Sequence, residues 1–272
     1  MNKKIFITGA SGFVGSLLSQ YLKKKKLKLE KIAFKNPANK KKKRIDLTKK
    51  FLIKKSFDWI VHIAAHHKIE DFKKRANLKA KKNILMVKNI LAFSKLNKIE
   101  KIIFFSTIDI NYFPYPKQKK IYIKSKLYCE KLLLNAYKNK LLKKIIILRL
   151  PAIVGKKSGN HFIKNSLYNL RNNLPVNIWN MNKNYNHLLH VDDLNKLIFH
   201  CIRGKKKGKY IIDCISSNPI KLYQLIVNLK KKLKSESKII CINKKNEYKK
   251  INFNQKIDYK FFSVKKATNL LL

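Results

Sequence analysis

Tyr122 and Lys126 are the two residues whose types and spacing are best suited to proton transfer. Side chains four residues apart on a helix share one face, so the lysine ammonium would lie beside the tyrosine phenol. A positive charge there favours the phenolate and lowers the tyrosine pKa from its ordinary value near 10. Such a tyrosine can pass a proton to or from a substrate oxygen.

The spacing alone does not identify this pair, because the chain has 12 tyrosines and is very rich in lysine. Three such pairs occur, about as many as chance predicts: Tyr21/Lys25, Tyr115/Lys119 and Tyr122/Lys126. Tyr21 lies well inside the first predicted helix, and Tyr115 precedes Pro116, which disfavours helical backbone angles. Tyr122 opens a predicted helix, and the strand before it ends at Thr107, which supplies a hydroxyl. The predicted catalytic residues are Thr107, Tyr122 and Lys126.

A cluster of glycines forms a second candidate site near the start of the chain. Of the 7 glycines, three fall within one short segment between a predicted strand and a predicted helix. Glycine there allows positive φ and lets backbone amides approach a pyrophosphate, which the helix N-terminus also attracts. The predicted phosphate-binding residues are Gly9, Ser11, Gly12, Phe13, Val14 and Gly15.

Strands alternate with helices along the first half of the chain. The predicted strands are 4–8, 29–34, 58–64, 101–106 and 144–150, and the predicted helices are 16–22, 77–96 and 122–137. This alternation predicts the α/β class, with a doubly wound parallel sheet of the Rossmann type and a smaller C-terminal substrate lobe. The predicted domains are 1–151 and 152–272, with part of 186–215 packing back on the first.

The charge balance is extreme, with 65 Lys and Arg against 14 Asp and Glu in 272 residues, a formal charge of +51. Only five of the basic residues are Arg, the residue that reads base edges best, so we expect no specific nucleic-acid partner. An apolar fraction of 45% excludes a disordered chain. We expect the charge to help attract a phosphate-bearing substrate.

Membrane association and metal binding are not expected. No apolar run approaches the roughly 18 residues of a membrane span, and no signal peptide is recognised. The cysteines are far apart and lack the spacing of a metal site, so we interpret them as reduced core thiols of a cytoplasmic protein: Cys129, Cys201, Cys214 and Cys241.

With these motifs the chain resembles the extended short-chain dehydrogenases, in particular the NAD-dependent epimerase/dehydratase family that acts on nucleotide sugars. The G-x-x-G-x-x-G spacing, Asp58–Ala65 and the segment from Arg149 to Gly155 carry the resemblance, which extends from Met1 to about Cys214. The resemblance implies that Tyr122 and Lys126 also bind the cofactor, Lys126 through the cofactor ribose. The further cofactor-binding residues that it implies are Asp46, Leu47, Ala64, Ala65, Asn83 and Pro151.

Several assignments within the resemblance stay open. The paired asparagines of the family's central helix match Asn83 and Asn89, but Asn77 and Asn83 have the same spacing. His62 is more simply a satisfied core histidine than a catalytic one. The Asp192-Asp193 pair is interpreted as capping and anchoring a helix.

The cofactor is predicted to be NAD(P). Lys35 stands at the end of the second predicted strand, where an acid would bind the adenosine ribose. A basic residue accepts a 2′-phosphate instead, which favours NADP(H).

Some residues depart from the family pattern. Asn111 stands where the family usually has Tyr, and Met86-Val87 where it has Gly-Thr. The two acids that follow the Thr in sugar 4,6-dehydratases would be Ile108 and Asp109 here, which argues against dehydration.

The resemblance leaves the reaction open between a nucleotide-sugar epimerase and a reductase, and a carbonyl substrate other than a sugar is also compatible. The alternative is a non-catalytic protein that uses the dinucleotide fold as a sensor or as a basic RNA-binding scaffold. The family resemblance also implies a homodimer, formed through helices from the 77–96 and 122–137 regions.

Overall fold

The computed structural model describes two compact units, and each is considered by itself. The described residues are 3–33, 43–67, 72, 75–159, 161–242, 249–250 and 258–272. The first unit comprises the described residues of 1–150 and 195–213 together with Lys249–Lys250, and the second comprises those of 151–194, 214–242 and 258–272.

Helices and strands alternate through most of the described chain. The strands are β1 (Lys4–Thr8), β2 (Lys28–Ala33), β3 (Lys43–Arg44), β4 (Trp59–His62), β5 (Lys101–Thr107), β6 (Tyr112–Phe113), β7 (Lys144–Leu150), β8 (Ala152–Val154), β9 (Val176–Trp179), β10 (Asn184–Tyr185), β11 (Leu188–His190), β12 (Gly208–Asp213), β13 (Ile220–Lys221), β14 (Ile239–Ile242) and β15 (Lys249–Lys250). The helices are α1 (Phe13–Lys24), α2 (Ala76–Leu96), α3 (Lys120–Lys138), α4 (Phe162–Arg171), α5 (Val191–Arg203), α6 (Leu222–Lys232) and α7 (Val264–Asn269), with a 3-10 helix at Ile108–Asn111.

The first unit is built on a parallel sheet with the strand order β3-β2-β1-β4-β5-β7-β12. The order reverses between β1 and β4, and in such sheets ligands bind outside the carboxyl ends of the strands at this switch point. The predicted doubly wound sheet of the Rossmann type is therefore confirmed. Its carboxyl edge includes the ends of β1, β4 and β5, at Thr8, His62 and Thr107.

Burial explains why the strands of this sheet are so apolar. All seven residues of β7 and all four of β4 are buried, as expected for parallel strands that helices cover on both faces. Helices α2 and α3 pack against each other. Their apolar faces join the strands in one core that includes Phe6, Ile60, Phe93, Leu133 and Ile147.

The second unit contains short two-stranded sheets rather than one large one. Within the described residues, β8 pairs with β11 and β9 with β14 in parallel, while β10 and β13 are antiparallel. Helices α4, α6 and α7 supply the rest of a separate apolar core, which includes Val154, Ile178, Leu188, Leu225 and Val264. None of the described helices is both long enough and apolar enough to cross a bilayer.

Candidate active site

The turn between β1 and α1 depends on three glycines. Gly9 has a φ of +69°, and a Cβ there would lie 2.9 Å from the backbone nitrogen of Ala64. A Cβ at Gly15 would lie 2.2 Å from the carbonyl oxygen of Gly9, a distance that no side chain tolerates. The N–H of Gly12 donates to that same oxygen at 3.1 Å, which closes the turn. Glycine at positions 9 and 15 is therefore a requirement of the fold itself.

The start of α1 is suited to holding an anionic group. Gly12 is the N-cap residue, and no side chain in the described part of the chain caps the helix. A Cβ at Gly12 would meet only the Gly9 oxygen, at 3.4 Å, so the outer side of the turn is open. Ser11 is exposed, and Phe13 and Val14 are half-buried around it. Uncapped amides and the helix dipole fit a pyrophosphate group here.

Thr8 joins the ends of β1 and β4 at the switch point. Its hydroxyl accepts hydrogen bonds from the N–H groups of Ile63 at 3.1 Å and Ala64 at 3.2 Å. It also lies 2.8 Å from Nδ1 of His62. Burial, with a smaller contribution from the Lys126 ammonium, lowers the pKa of His62 to about 3. His62 is thus a neutral, hydrogen-bonded core histidine, as the sequence indicated.

Two asparagines on α2 donate or accept hydrogen bonds with the loops that follow β3 and β4. Asn83 accepts a hydrogen bond from the N–H of His66 at 2.8 Å and donates to its carbonyl oxygen at 3.0 Å. Asn89 donates to the carbonyl oxygen of Leu47 at 2.9 Å. Asn77 is exposed at the start of the helix. The structure therefore selects Asn83 and Asn89 as the pair with loop-holding roles.

Two of the predicted cofactor residues, Asp46 and Leu47, lie in the loop after β3. The N–H and the hydroxyl of Thr48 donate to Oδ1 of Asp46 at 2.9 and 2.7 Å. The hydroxyl bond is the main reason why the pKa of Asp46 is lowered. Leu47 is buried. Lys35, which was predicted to select the cofactor, lies outside the described residues.

The remaining predicted cofactor residues follow strands of the large sheet. Ala64 and Ala65 lie two and three residues after the end of β4 and are half-buried. Pro151 comes directly after β7 and is the first residue of the second unit.

Thr107 ends β5 and begins the 3-10 helix. Its hydroxyl donates to Oδ2 of Asp109 at 3.2 Å and accepts from the Asp109 N–H at 3.3 Å. Lys119 donates to the same carboxylate oxygen at 3.0 Å. Asp109 therefore orients the Thr107 hydroxyl, and Lys119 in turn holds Asp109.

Lys126 is buried on α3, facing β5. Its ammonium donates to the carbonyl oxygen of Phe105 at 2.7 Å and lies 4.7 Å from the centre of the Phe104 ring. Burial lowers the pKa of Lys126 to about 8, although the Cys129 and Glu130 side chains favour its charged form. Lys126 is thus attached to the strand that carries Thr107.

Tyr122 lies one turn before Lys126 on the same helix. Its ring packs edge-on to Phe72, with 5.4 Å between the ring centres. Burial first, then the Asp109 carboxylate, raises the pKa of Tyr122 above its ordinary value. The expectation of a lowered tyrosine pKa is wrong for this structure, because burial and the Asp109 carboxylate both raise it. Tyr122 therefore holds its proton at neutral pH.

A buried polar network behind Thr107 was not recognised in the sequence. Oε1 of Glu130 accepts from the Ser106 hydroxyl at 2.5 Å, and both carboxylate oxygens accept from Arg149, at 3.2 and 2.7 Å. Arg149 also donates to Oδ1 of Asn111 at 2.8 Å, and Asn111 donates to Asp213 at 2.7 Å. We call the buried residues Ser106, Asn111, Glu130 and Arg149, together with the half-buried Asp213, the buried network.

Asp193, the second of the two acids at the start of α5, makes structural hydrogen bonds. Oδ1 of Asp193 accepts from the Tyr259 hydroxyl at 2.6 Å, and Oδ2 accepts from the Phe262 N–H at 2.7 Å. Asp193 thus fastens the segment before α7 to the first turn of α5, within the second unit.

One of the cysteine interpretations needs correction. Cys129, Cys201 and Cys214 are buried thiols outside any disulfide, but Cys241 is exposed on β14 and is not a core residue. Among the described residues, no group of three or more His, Cys, Asp or Glu side chains is placed to hold a metal ion.

Comparison with known proteins identifies the class. The sequence profile of the NAD-dependent epimerase/dehydratase family matches residues 5–212, well over half of the 272 residues. This protein belongs to that family, which assigns it an enzyme's role and a nicotinamide dinucleotide as cofactor. No match is found among curated protein sequences.

Solved structures share the fold at low sequence identity. The UDP-glucose 4-epimerase of Thermotoga maritima, solved with UDP-glucose, has a TM-score of 0.75 and 15% identity over 98% of this chain and 97% of its own. The UDP-N-acetylglucosamine 4-epimerase of Methanobrevibacter ruminantium, solved with UDP-N-acetylmuramic acid, has a TM-score of 0.77 and 18% identity over 99% and 96%. RMD from Pseudomonas aeruginosa, solved with NADPH, has a TM-score of 0.69 and 18% identity over 89% and 87%.

Proposed function

We propose that this protein is an NAD(P)-dependent nucleotide-sugar epimerase or reductase, with Tyr122 as the acid/base. The observation that carries the proposal is the placement of Thr107, Tyr122 and Lys126. Thr107 ends β5 at the same carboxyl edge of the sheet as the glycine turn after β1. The Lys126–Phe105 hydrogen bond holds the helix of Tyr122 to that strand.

Each of these residues has a distinct task at a sugar ketone or hydroxyl. A bound nicotinamide dinucleotide supplies or accepts the hydride. Tyr122 gives its proton to the ketone oxygen on reduction and takes a proton back on oxidation. The Thr107 hydroxyl donates to Asp109 in this structure, and it turns its single proton to the same substrate oxygen when the substrate binds. Lys126 binds a ribose hydroxyl of the cofactor, and its charge favours the phenolate whenever Tyr122 gives up its proton.

Tyr122 is protonated at neutral pH, because a tyrosine pKa is ordinarily near 10 and burial raises that of Tyr122 further. A tyrosine that stays protonated is ready to neutralise the oxyanion that a ketone becomes on reduction. Dehydration is disfavoured for two reasons. Ile108 stands where sugar 4,6-dehydratases have the first of two acids, and the carboxylate of the second, Asp109, already accepts hydrogen bonds from Lys119 and Thr107.

The test incubates the purified protein with NADPH and a 4-keto nucleotide sugar, and separately with NAD and UDP-glucose. Net loss of NADPH absorbance identifies a reductase, and isomerisation without net cofactor change identifies an epimerase. The proposal is overturned if neither reaction occurs while the protein binds NAD(P)H, or if Tyr122→Phe reacts as fast as the parent protein.

We further propose a preference for NADP(H), which rests on Lys35 and the neighbouring basic residues through Arg44. Lys35→Asp should weaken NADPH binding and leave NADH binding equal or stronger, measured by cofactor fluorescence. Lys231→Asp, on the exposed side of α6, makes the same change of charge and should leave the ratio of the two affinities unchanged. A parent protein that binds NADH more tightly than NADPH contradicts this preference.

A further inference from the structure

Asn111 is the last residue of the 3-10 helix, and its side chain is fully buried. Its amide oxygen accepts from Nη1 of Arg149 at 2.8 Å, and its amide nitrogen donates to Oδ2 of Asp213 at 2.7 Å. Arg149 is near the end of β7, and Asp213 ends β12. The segment that carries Thr107 and Asp109 is therefore fastened to two neighbouring strands through one side chain.

The other end of the buried network reaches the helix of Tyr122. Arg149 and Glu130 form an ion pair in which both side chains are at most 5% exposed. Glu130 lies on α3, two turns after Tyr122, and accepts from the hydroxyl of Ser106, the residue before Thr107. A continuous set of hydrogen bonds thus links the 3-10 helix, the end of β5 and α3.

The chemistry at position 111 is specific. The asparagine amide offers an acceptor to a guanidinium and a donor to a carboxylate at the same time. An aspartate would accept from Arg149 but would place a second carboxylate against Asp213. An alanine would remove one hydrogen bond from Arg149 and one from Asp213, both inside the protein.

We propose that Asn111 is a positioning residue, which acts through Arg149 and Glu130 to fix the Thr107 hydroxyl relative to the Tyr122 phenol. The inference rests on the proposed function and deepens it. Asn111 itself does not reach the reacting atoms in this account. A small displacement between two groups that hold one oxygen slows the chemical step more than it weakens binding.

The test exchanges the two partners across one hydrogen bond. Asn111→Asp should lower kcat about 10- to 100-fold while KM and the cofactor Kd change less than about twofold. In the double variant N111D/D213N the carboxylate at position 111 still accepts from Arg149, and the amide at position 213 now donates to it. Only the hydrogen bond between positions 111 and 213 is reversed and the net charge is kept, so the variant should recover most of the lost kcat. A double variant as slow as N111D, in a folded protein, overturns the inference.

A second measurement does not depend on activity. Amide hydrogen exchange at 108–111 should accelerate in N111D and return toward the parent rate in N111D/D213N. Ser94→Ala is the matched control, because it removes a buried hydrogen bond to the carbonyl oxygen of Ile99 in the same unit. It should lower the unfolding midpoint without changing kcat. If S94A lowers kcat as much as N111D does, the effect is loss of stability and the inference fails.

These outcomes separate the inference from the proposed function. If Tyr122→Phe is inactive while N111D turns over at the parent rate, the proposed function stands and the positioning role fails. If Tyr122→Phe is fully active, the proposed function fails, and unchanged exchange at 108–111 in N111D then rejects the role of Asn111 as well.

Discussion

The ammonium of Lys126 donates a 2.7 Å hydrogen bond to the carbonyl oxygen of Phe105. This bond connects α3 to β5 two residues before Thr107 and holds a buried charge beside the end of the strand. Because Lys126 is 3% exposed, its pKa falls to about 8, near the upper end of the physiological range. Under the proposed function, the charge state of this lysine therefore bears on activity near that pH.

The first prediction concerns this charge. Lys126 is a charged ammonium below its pKa. If turnover needs this charge, the rate is maximal at neutral pH and falls as the pH rises through about 8. Lys126→Arg keeps the charge, since a guanidinium does not deprotonate in this range, and should move the falling limb of the kcat/KM profile to higher pH. Lys126→Met should lose activity across the profile. An unmoved limb in a folded Lys126→Arg variant contradicts this role.

A second prediction separates folding from cofactor binding in the glycine turn. Gly15→Ala forces a Cβ against the Gly9 carbonyl at 2.2 Å and should destabilise the protein by about 3 kcal/mol or more. Gly12→Ala meets only a 3.4 Å contact, so it should fold normally but weaken NAD(P)H binding by crowding the phosphates. Gly159→Ala has nothing within 4 Å and is the control. Denaturant unfolding and cofactor titration give the two readouts. Normal cofactor affinity in Gly12→Ala would show that the glycine turn does not bind the cofactor phosphates.

A third prediction uses two asparagines of one helix. Asn83 makes two hydrogen bonds to the backbone of His66, whereas Asn77 is exposed. Asn83→Ala should release the loop after β4 and raise the cofactor Kd about 10-fold, in line with the loss of one or two buried hydrogen bonds. Asn77→Ala should leave the Kd unchanged. Equal effects of the two variants would show that the loop does not depend on Asn83.

A fourth prediction concerns stability in acid. His62 has a pKa of about 3 in the folded protein against an ordinary value of 6.5 for histidine, so the unfolded chain binds more protons between those values. The contribution of His62 to the free energy of unfolding is fully present above pH 6.5 and is lost as the pH decreases. The loss is at most about 1.4 kcal/mol per pH unit. His62→Asn keeps a partner for Thr8 and should show a shallower loss of unfolding free energy between pH 6.5 and 4.5. His200→Asn, which changes an exposed histidine, is the control. Parallel slopes for His62→Asn and the parent protein contradict the assignment.

Local patterns predicted the elements that carry the site. The strand at 144–150 was placed with the bounds that the structure has, because a continuous apolar run between helices has few other interpretations. The strand β12, Gly208–Asp213, was not predicted, because lysine, tyrosine and aspartate leave it without a continuous apolar run. The strand lies at the edge of the sheet and is only partly buried, so it does not need one.

Contacts distant in sequence were harder to foresee. A glutamate on a lysine-rich helix usually faces solvent. Glu130 is buried instead, and its charge is balanced by Arg149, which lies on β7. The pKa direction of Tyr122 also depends on burial and on Asp109, which the four-residue spacing does not report. The glycine turn could be predicted from the sequence, because the backbone atoms that exclude a side chain at Gly15 belong to residues only a few positions away.

The measurement that bears most directly on the account is the turnover of Tyr122→Phe with saturating cofactor and nucleotide sugar. The account predicts a fall in kcat of about 100- to 10,000-fold, the range for loss of a general acid or base, with the cofactor Kd and the unfolding midpoint unchanged. Tyr115→Phe, which shares the four-residue spacing to a lysine, should keep the parent kcat. Full turnover by folded, cofactor-bound Tyr122→Phe would contradict the assignment of Tyr122 as the proton donor.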